Sequence, residues 1–84
     1  MFYCYIIRSL KDRDLYVGST KDLRKRFYLH NKGAIQSTRA RKPFELIYYE
    51  AYKAEHDARM REASLKLRSK ALAQLKKRIV DSLQ

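Results

Sequence analysis

Apolar positions fall in short blocks separated by charged segments, and the blocks differ in period. Phe2 to Ile7 is a run of aromatic and β-branched side chains, the composition of a buried strand. Lys11-Asp12-Arg13-Asp14 reads as a polar hairpin connection. Leu15-Tyr16-Val17 follows as a short second strand, with Gly18 as its expected stop. Ser19, Thr20 and Asp22 carry oxygens that can accept from the free amides of a first helical turn. A helix is therefore expected to about Asn31, with Leu23 and Phe27 one turn apart on the same face. Lys32 to Pro43 reads as a polar, basic loop in which Gly33 stops the helix. Phe44 to Tyr52 is the third strand, and Ala54 to Leu67 has helical composition throughout. Ser69 can cap a last helix, in which Leu72, Leu75, Ile79 and Leu83 recur at helical spacing.

The order is β-β-α-β-α-α, with no internal repeat. Such stripes are buried most simply by an α/β (α+β) arrangement: a small three-stranded sheet, mixed or antiparallel, flanked by helices. A chain of 84 residues holds one domain, spanning 1–84, and one modest core. Its hydrophobic content of 45% is too high for a disordered basic tail, and one proline with two glycines argues against a linker.

Charge narrows the partner. Twenty Lys and Arg against nine Asp and Glu leave +11, a field that attracts polyanions at long range. Nucleic acid is the expected partner and a membrane surface is not. A membrane-lying helix needs an apolar stripe beneath its basic face, and the only approach to one is the stripe expected to pack on the core. No run reaches the roughly 20 apolar residues of a membrane span, and no signal peptide is visible. Cys4 is the single cysteine, which excludes an internal disulfide or a cysteine-based zinc site and fits a small buried hydrophobe. The expected compartment is a reducing cytoplasm.

Tyr3-Cys4-Tyr5, Tyr16-Val17-Gly18 and Ser19-Thr20-Lys21-Asp22-Leu23-Arg24-Lys25-Arg26 follow one another, with His30 one turn further on. Ser37-Thr38-Arg39, Leu46-Ile47-Tyr48-Tyr49-Glu50 and Arg61-Glu62-Ala63-Ser64-Leu65-Lys66 come after them. In this order, between Tyr5 and Glu62, the chain resembles the GIY-YIG nuclease superfamily, and especially the small single-domain bacterial members related to the incision domain of the excision-repair nuclease UvrC. Tyr3-Cys4-Tyr5 stands where Gly-Ile-Tyr would be, Tyr16-Val17-Gly18 is close to Tyr-Ile-Gly, and the segment after it resembles the one that leads to the family's arginine, here Arg26.

The resemblance implies a reaction and assigns its parts. Phosphodiester hydrolysis needs a deprotonated water, stabilised phosphoryl oxygens and a stabilised leaving 3′-oxygen. Tyr16 is the candidate general base or water-positioning group, and Tyr5 its partner on the neighbouring strand. The alternative for both is the ordinary packing of strand tyrosines. Arg26 is the candidate electrophile, because a guanidinium fork holds two oxygens of one phosphate and stays charged. Arg26 and His30 share a helix face, so His30 is expected to position the water or protonate the leaving oxygen. His56, with no partner in view, is expected at the surface. Glu62 is the candidate ligand of one divalent ion, Mg²⁺ or Mn²⁺, which keeps much of its water; Glu50 and Glu55 are weaker candidates. Two departures stand out. Ser19 occupies a position where relatives carry lysine; any part that lysine plays in ionising the tyrosine would fall here to Lys21, to metal-bound water, or to nothing. The asparagine that those relatives carry beyond the glutamate has no counterpart here.

The expected DNA surface is Lys21, Arg24, Lys25, Lys32, Ser37, Thr38, Arg39, Arg41 and Lys42, on the first helix and the loop behind it. Arg68, Lys70, Lys76, Lys77 and Arg78 form a second basic group, equally a solvated helix face. The expectation is a metal-dependent endonuclease of DNA repair or recombination, structure-selective or nonspecific and sensitive to salt. A non-catalytic DNA-binding module and an adaptor that recruits a protein partner are the alternatives. A partner or a second copy of the chain is the expected source of site choice.

Overall fold

The computed structural model describes residues 1–67 and 69–84, and of Ser69 the backbone only. The strands are β1 (Phe2–Ser9), β2 (Leu15–Thr20) and β3 (Phe44–Tyr52); the helices are α1 (Leu23–Lys32), α2 (Glu55–Leu67) and α3 (Ser69–Arg78). β1 is central, in the order β2-β1-β3, and both pairings are antiparallel. The expected element order holds, and the sheet is antiparallel rather than mixed.

Alternation along β1 feeds two cores, which is why its sequence is apolar without a break. Cys4 and Ile6 pack with Val17, Leu65 and Leu75 on the α2–α3 side. Tyr5 and Ile7 pack with Phe44, and with the partly buried Tyr16, Leu23 and Phe27, on the α1 side. Each large apolar side chain removed from water in this way contributes about 1.5–3 kcal/mol. Burial, and secondarily the negative field of Glu50 and Glu62, pushes the Cys4 thiol up to about 12, as expected of an inert cysteine.

Gly18 does not stop β2, which runs through it to Thr20. It pairs with Tyr5 across the sheet, and a Cβ there would lie 2.4 Å from the Tyr5 Oη and 2.5 Å from Cζ. The missing side chain makes room for a neighbouring ring instead of breaking the strand. Of the three candidate caps, Asp22 serves: its Oδ1 accepts from the Lys25 amide at 3.1 Å. Gly33, at φ 81°, ends α1 in the left-handed region as expected. Asn31 then ties the helix end to β3, donating to the Phe44 carbonyl at 3.2 Å and accepting from its amide at 2.6 Å.

The loop expected over 32–43 starts after α1 has taken Lys32, and Arg39–Arg41 forms a 3-10 turn within it. α3 ends at Arg78, before the last two residues of the predicted stripe. Leu72, Leu75 and Ile79 still pack on the core, whereas the Leu83 carbonyl accepts from Arg8 Nη1 at 2.5 Å. The expected Ser69 cap and the Arg68 contribution to the second basic group lie outside the described residues. Among the described residues no helix is long and apolar enough to cross a membrane.

Candidate active site

Tyr5, on β1, is 1% exposed, and its ring lies under the gap left by Gly18. Its Oη is 2.8 Å from Nε2 of His30. The other nitrogen of that ring, Nδ1, is 2.7 Å from Oγ1 of Thr38. Three buried groups thus form a single file of hydrogen bonds. Tyr16, from β2, presents its ring edge-on to the same imidazole, with centroids 5.2 Å apart.

Arg26 sits one turn before His30 on α1, and its Nε is buried with no hydrogen-bond acceptor among the described residues. An orphaned buried donor costs roughly 1–3 kcal/mol, so this guanidinium is set up to receive an acceptor. Burial pushes the Tyr5 phenol up to about 12, with Arg26 pulling the other way, by hydrogen bonding first and then by charge, and Tyr16 and Glu62 adding to the rise. Burial and then the Arg26 charge bring His30 down to about 4, so its imidazole is neutral at pH 7.

Glu62 projects from α2 toward β2. Its Oε1 accepts from Ser19 Oγ at 2.6 Å, and its Oε2 lies 2.8 Å from Lys66 Nζ. Burial works against the carboxylate, but the Lys66 and Ser19 hydrogen bonds outweigh it and hold Glu62 below the usual range. The same Lys66 ammonium stands 5.5 Å above the centre of the Tyr16 ring. The five candidate residues are therefore joined by contacts or by close charge. Arg26 acts on Tyr5 and His30, His30 touches both tyrosines, and Lys66 links Tyr16 to Glu62.

Three expectations need correction. His30 is fully buried with both nitrogens engaged and its imidazole neutral, so it is not placed to protonate a leaving oxygen. It holds Tyr5 instead. Thr38 is 1% exposed and bonded to His30, so it is not a phosphate contact. Arg41 is occupied by Asp12, with Nε to Oδ2 at 2.7 Å, and by the Asp14 carbonyl; it straps the hairpin to the loop. Lys21, Arg24, Lys25, Lys32, Ser37, Arg39 and Lys42 are exposed, as a DNA surface requires. His56 is exposed as expected.

Sequence reasoning missed two participants. Lys66 brings a positive charge to Tyr16, work left open in expectation among Lys21, metal-bound water and nothing; its spacing of four from Glu62 on a helix was the available signal. Ser19, entered as a departure, donates to the candidate metal ligand. Glu50, by contrast, is fully engaged by Tyr48, Tyr52 and Arg61.

Among the described residues no group of three His, Cys, Asp or Glu side chains could enclose a metal. The donor set offers Glu62 alone, ionised and part-exposed. That suits a hard cation which keeps most of its waters and takes phosphate oxygens, not a closed protein cage.

Comparison with known proteins places the chain in a family. A family model described as the GIY-YIG catalytic domain matches residues 1–78. A UPF0213 protein of Pediococcus pentosaceus is 41% identical over 71 residues, covering 83% of this chain and 74% of the relative. The UPF0213 protein CPE1444 of Clostridium perfringens is 40% identical over 67 residues, covering 79% and 71%. The solution NMR structure of the UPF0213 protein BH0048 from Bacillus halodurans superposes with a TM-score of 0.57 at 30% identity, covering 94% of this chain and 87% of that one. None of these relatives' names states an activity.

Proposed function

The chain belongs to the GIY-YIG family, a nuclease superfamily, and from that membership we propose that it is a metal-dependent endonuclease hydrolysing DNA phosphodiester bonds. Residues 1–84 act in this reading as one catalytic domain, structure-selective or nonspecific, in repair or recombination. The observation that carries it is Arg26: a buried guanidinium nitrogen without an acceptor among the described residues, beside the Tyr5 phenol, which also lies in the field of Tyr16 and Glu62. A phosphate oxygen supplies the missing acceptor.

Each side chain then has a task. The Arg26 fork takes the non-bridging oxygens as their charge grows. Tyr16, part-exposed, orients the attacking water and takes its proton on the phenolic oxygen as its own hydroxyl proton passes to solvent. Tyr5, fixed by His30, holds the other side of the water's hydrogen-bond network. The water oxygen bonds to phosphorus and the P–O3′ bond breaks. The 3′-oxygen takes a proton from solvent, which leaves a 3′-hydroxyl and a 5′-phosphate. Glu62 would hold Mg²⁺ or Mn²⁺, whose chemistry when bound is to withdraw charge from the phosphate oxygens. Lys66 holds one positive charge beside both that carboxylate and the Tyr16 ring.

One observation favours the alternative, a DNA-binding module without turnover: both Glu62 oxygens already have a protein donor. Incubating the protein with duplex, nicked, branched and single-stranded DNA, with Mg²⁺ or Mn²⁺, separates the two. Cleavage by the wild type that needs metal and disappears in Glu62→Gln and Tyr16→Phe is the expected result. Binding unaltered by both substitutions, with no products from any form, would overturn the nuclease reading and leave the module.

A further inference from the structure

Beside the candidate active site the molecule has a second feature that the hydrolytic chemistry does not use. Tyr3, Leu23, Phe27, Leu46 and Tyr49 line a groove of about 440 Å³ between the start of α1 and the sheet. That is within the usual size of a small-ligand site. Tyr3 and Tyr5 stand two apart on β1, so the groove opens on the same sheet face as the Tyr5 phenol. Its walls are unusual for an exposed surface. Tyr49 is 50% exposed and meets the Tyr3 ring edge-on, with centroids 5.8 Å apart. Leu46 is exposed as well.

The rim is cationic. Lys21 and Arg24 border the groove, are both exposed, and have no carboxylate partner among the described ion pairs. Asp22 also borders it, but its Oδ1 is engaged by the Lys25 amide at the helix start. A flat apolar floor with positive charge at the edge selects an occupant that is itself a flat ring on an anionic chain. Stacking on an aromatic face and phosphate contact to Lys or Arg are the two terms by which proteins hold single strands. Duplex DNA offers only the second, because its base faces are covered by their neighbours.

We propose that this groove binds one unpaired nucleobase of the DNA strand, stacked on Tyr49, with the adjoining phosphates on Lys21 and Arg24. The inference rests on the reading of the protein as DNA-acting and gives it a substrate class: strands with an unpaired base next to the cut, as in single-stranded, gapped or branched DNA. The groove and the catalytic cluster share α1, so a base seated in one places its own backbone alongside the other.

The test measures binding without metal, so it does not depend on cleavage. A short fluorescent single strand is compared with the same strand carrying one abasic residue, and with a fully paired duplex, at one fixed salt concentration. A strand with 2-aminopurine at the varied position reports stacking directly. The intact strand is expected to bind about tenfold more tightly than the abasic one, the effect of losing one base–aromatic stack. Tyr49→Ala should erase that preference and the 2-aminopurine response while leaving duplex affinity unchanged. Tyr49→Phe, which keeps the ring, should retain both. Equal affinity for intact and abasic strands overturns the proposal while leaving the nuclease reading intact. So does an equal loss of single-strand and duplex binding in Tyr49→Ala, or self-association through this face that Tyr49→Ala abolishes. Failure to bind any DNA defeats both readings together.

Discussion

Two clusters with the same ingredients, one glutamate, one arginine and two tyrosines, lie against opposite edges of the sheet. Arg61 and Glu62, neighbours on α2, reach apart: Arg61 to Glu50 of β3, and Glu62 to Ser19 of β2. In the β3 cluster every group is answered. Glu50 accepts from the Tyr48 hydroxyl at 2.7 Å, from the Tyr52 hydroxyl, and from Arg61 Nε and Nη2 at 3.0 and 3.1 Å. Burial alone would raise its carboxyl, but the Tyr52, Tyr48 and Arg61 hydrogen bonds hold it low, and the Tyr52 phenol is pushed up by burial and then by its bond to Glu50. The other cluster, Glu62 with Arg26, Tyr5 and Tyr16, leaves a buried arginine nitrogen without an acceptor among the described residues, although its carboxylate is held by Ser19 and Lys66. Residue types alone therefore do not mark a site. What marks it is the hydrogen bonds left unmade, because those are the ones a substrate can supply.

The sharpest way to break this contrast is to replace each arginine by methionine. Arg26→Met should lower DNA cleavage by about 10²–10³-fold, the loss seen when one pre-placed charge stabiliser is removed. Its thermal midpoint should stay or rise, since an unsatisfied buried donor has been exchanged for packed hydrocarbon. Arg61→Met should do the reverse. It strands the part-buried Glu50, so stability falls by about 2 kcal/mol, discounted from the fully buried case because both partners keep some exposure, while the folded protein still cleaves. Paired cleavage assays and melting curves measure both. Equal loss of stability in the two variants would show that the clusters do not differ in kind.

Acid distinguishes them next, and the signs follow from the cause of each shift. His30, brought down by burial and by Arg26 to about 4, binds a proton more readily in the unfolded chain, where its value is near 6.5. Its contribution is fully present above 6.5 and is lost as the pH falls toward 4. Glu50, held low by its donors, stabilises the fold above the unfolded carboxyl value and is lost only at lower pH still. The open cluster should therefore fail first. Chemical denaturation between pH 7.5 and 4 should show a decline of about 3 kcal/mol attributable to His30. His30→Gln should flatten that slope. A decline of equal steepness in the variant would mean that the histidine is not the group being titrated.

These contrasts were only partly legible in the chain. Strands and helices were, because apolar runs and turn residues are local signals: Asp22 and Gly33 bound α1 as their chemistry dictates. Gly18 was misjudged because the need for glycine there comes from the Tyr5 ring on the next strand, not from a turn. Thr38 sits among charges in sequence, so it reads as a surface hydroxyl until the loop folds back over His30. Arg41 reads as free until its partner 29 residues away, Asp12, is brought beside it. Lys66 was visible as a helical pair for Glu62, but the tyrosine ring beneath it was not. In each case the identity of the residue was plain and its partner was not, since long-range contacts are set by topology.

Thr38 gives the smallest and most specific test. The file Tyr5–His30–Thr38 has two consistent proton arrangements. In one, the Thr38 hydroxyl donates to Nδ1 and the Nε2–H donates to the Tyr5 oxygen, which leaves the phenolic hydrogen free to face the water. In the other, Nδ1–H donates to Thr38 and the Tyr5 hydroxyl is spent on Nε2. Thr38 is thus a positioning residue that acts on Tyr5 through the ring between them. Thr38→Val keeps the shape and removes the oxygen, leaving Nδ1 unpartnered, so stability should fall by about 1 kcal/mol. The His30 nitrogen shifts in long-range ¹⁵N–¹H NMR spectra should move, and Thr38→Ser should restore them. In the β3 cluster the matching deletion, Tyr48→Phe, leaves Glu50 its other donors and should perturb no distant group. If Thr38→Val leaves the imidazole spectrum unchanged, the threonine merely fills space and the single-file character of the open cluster is lost with it.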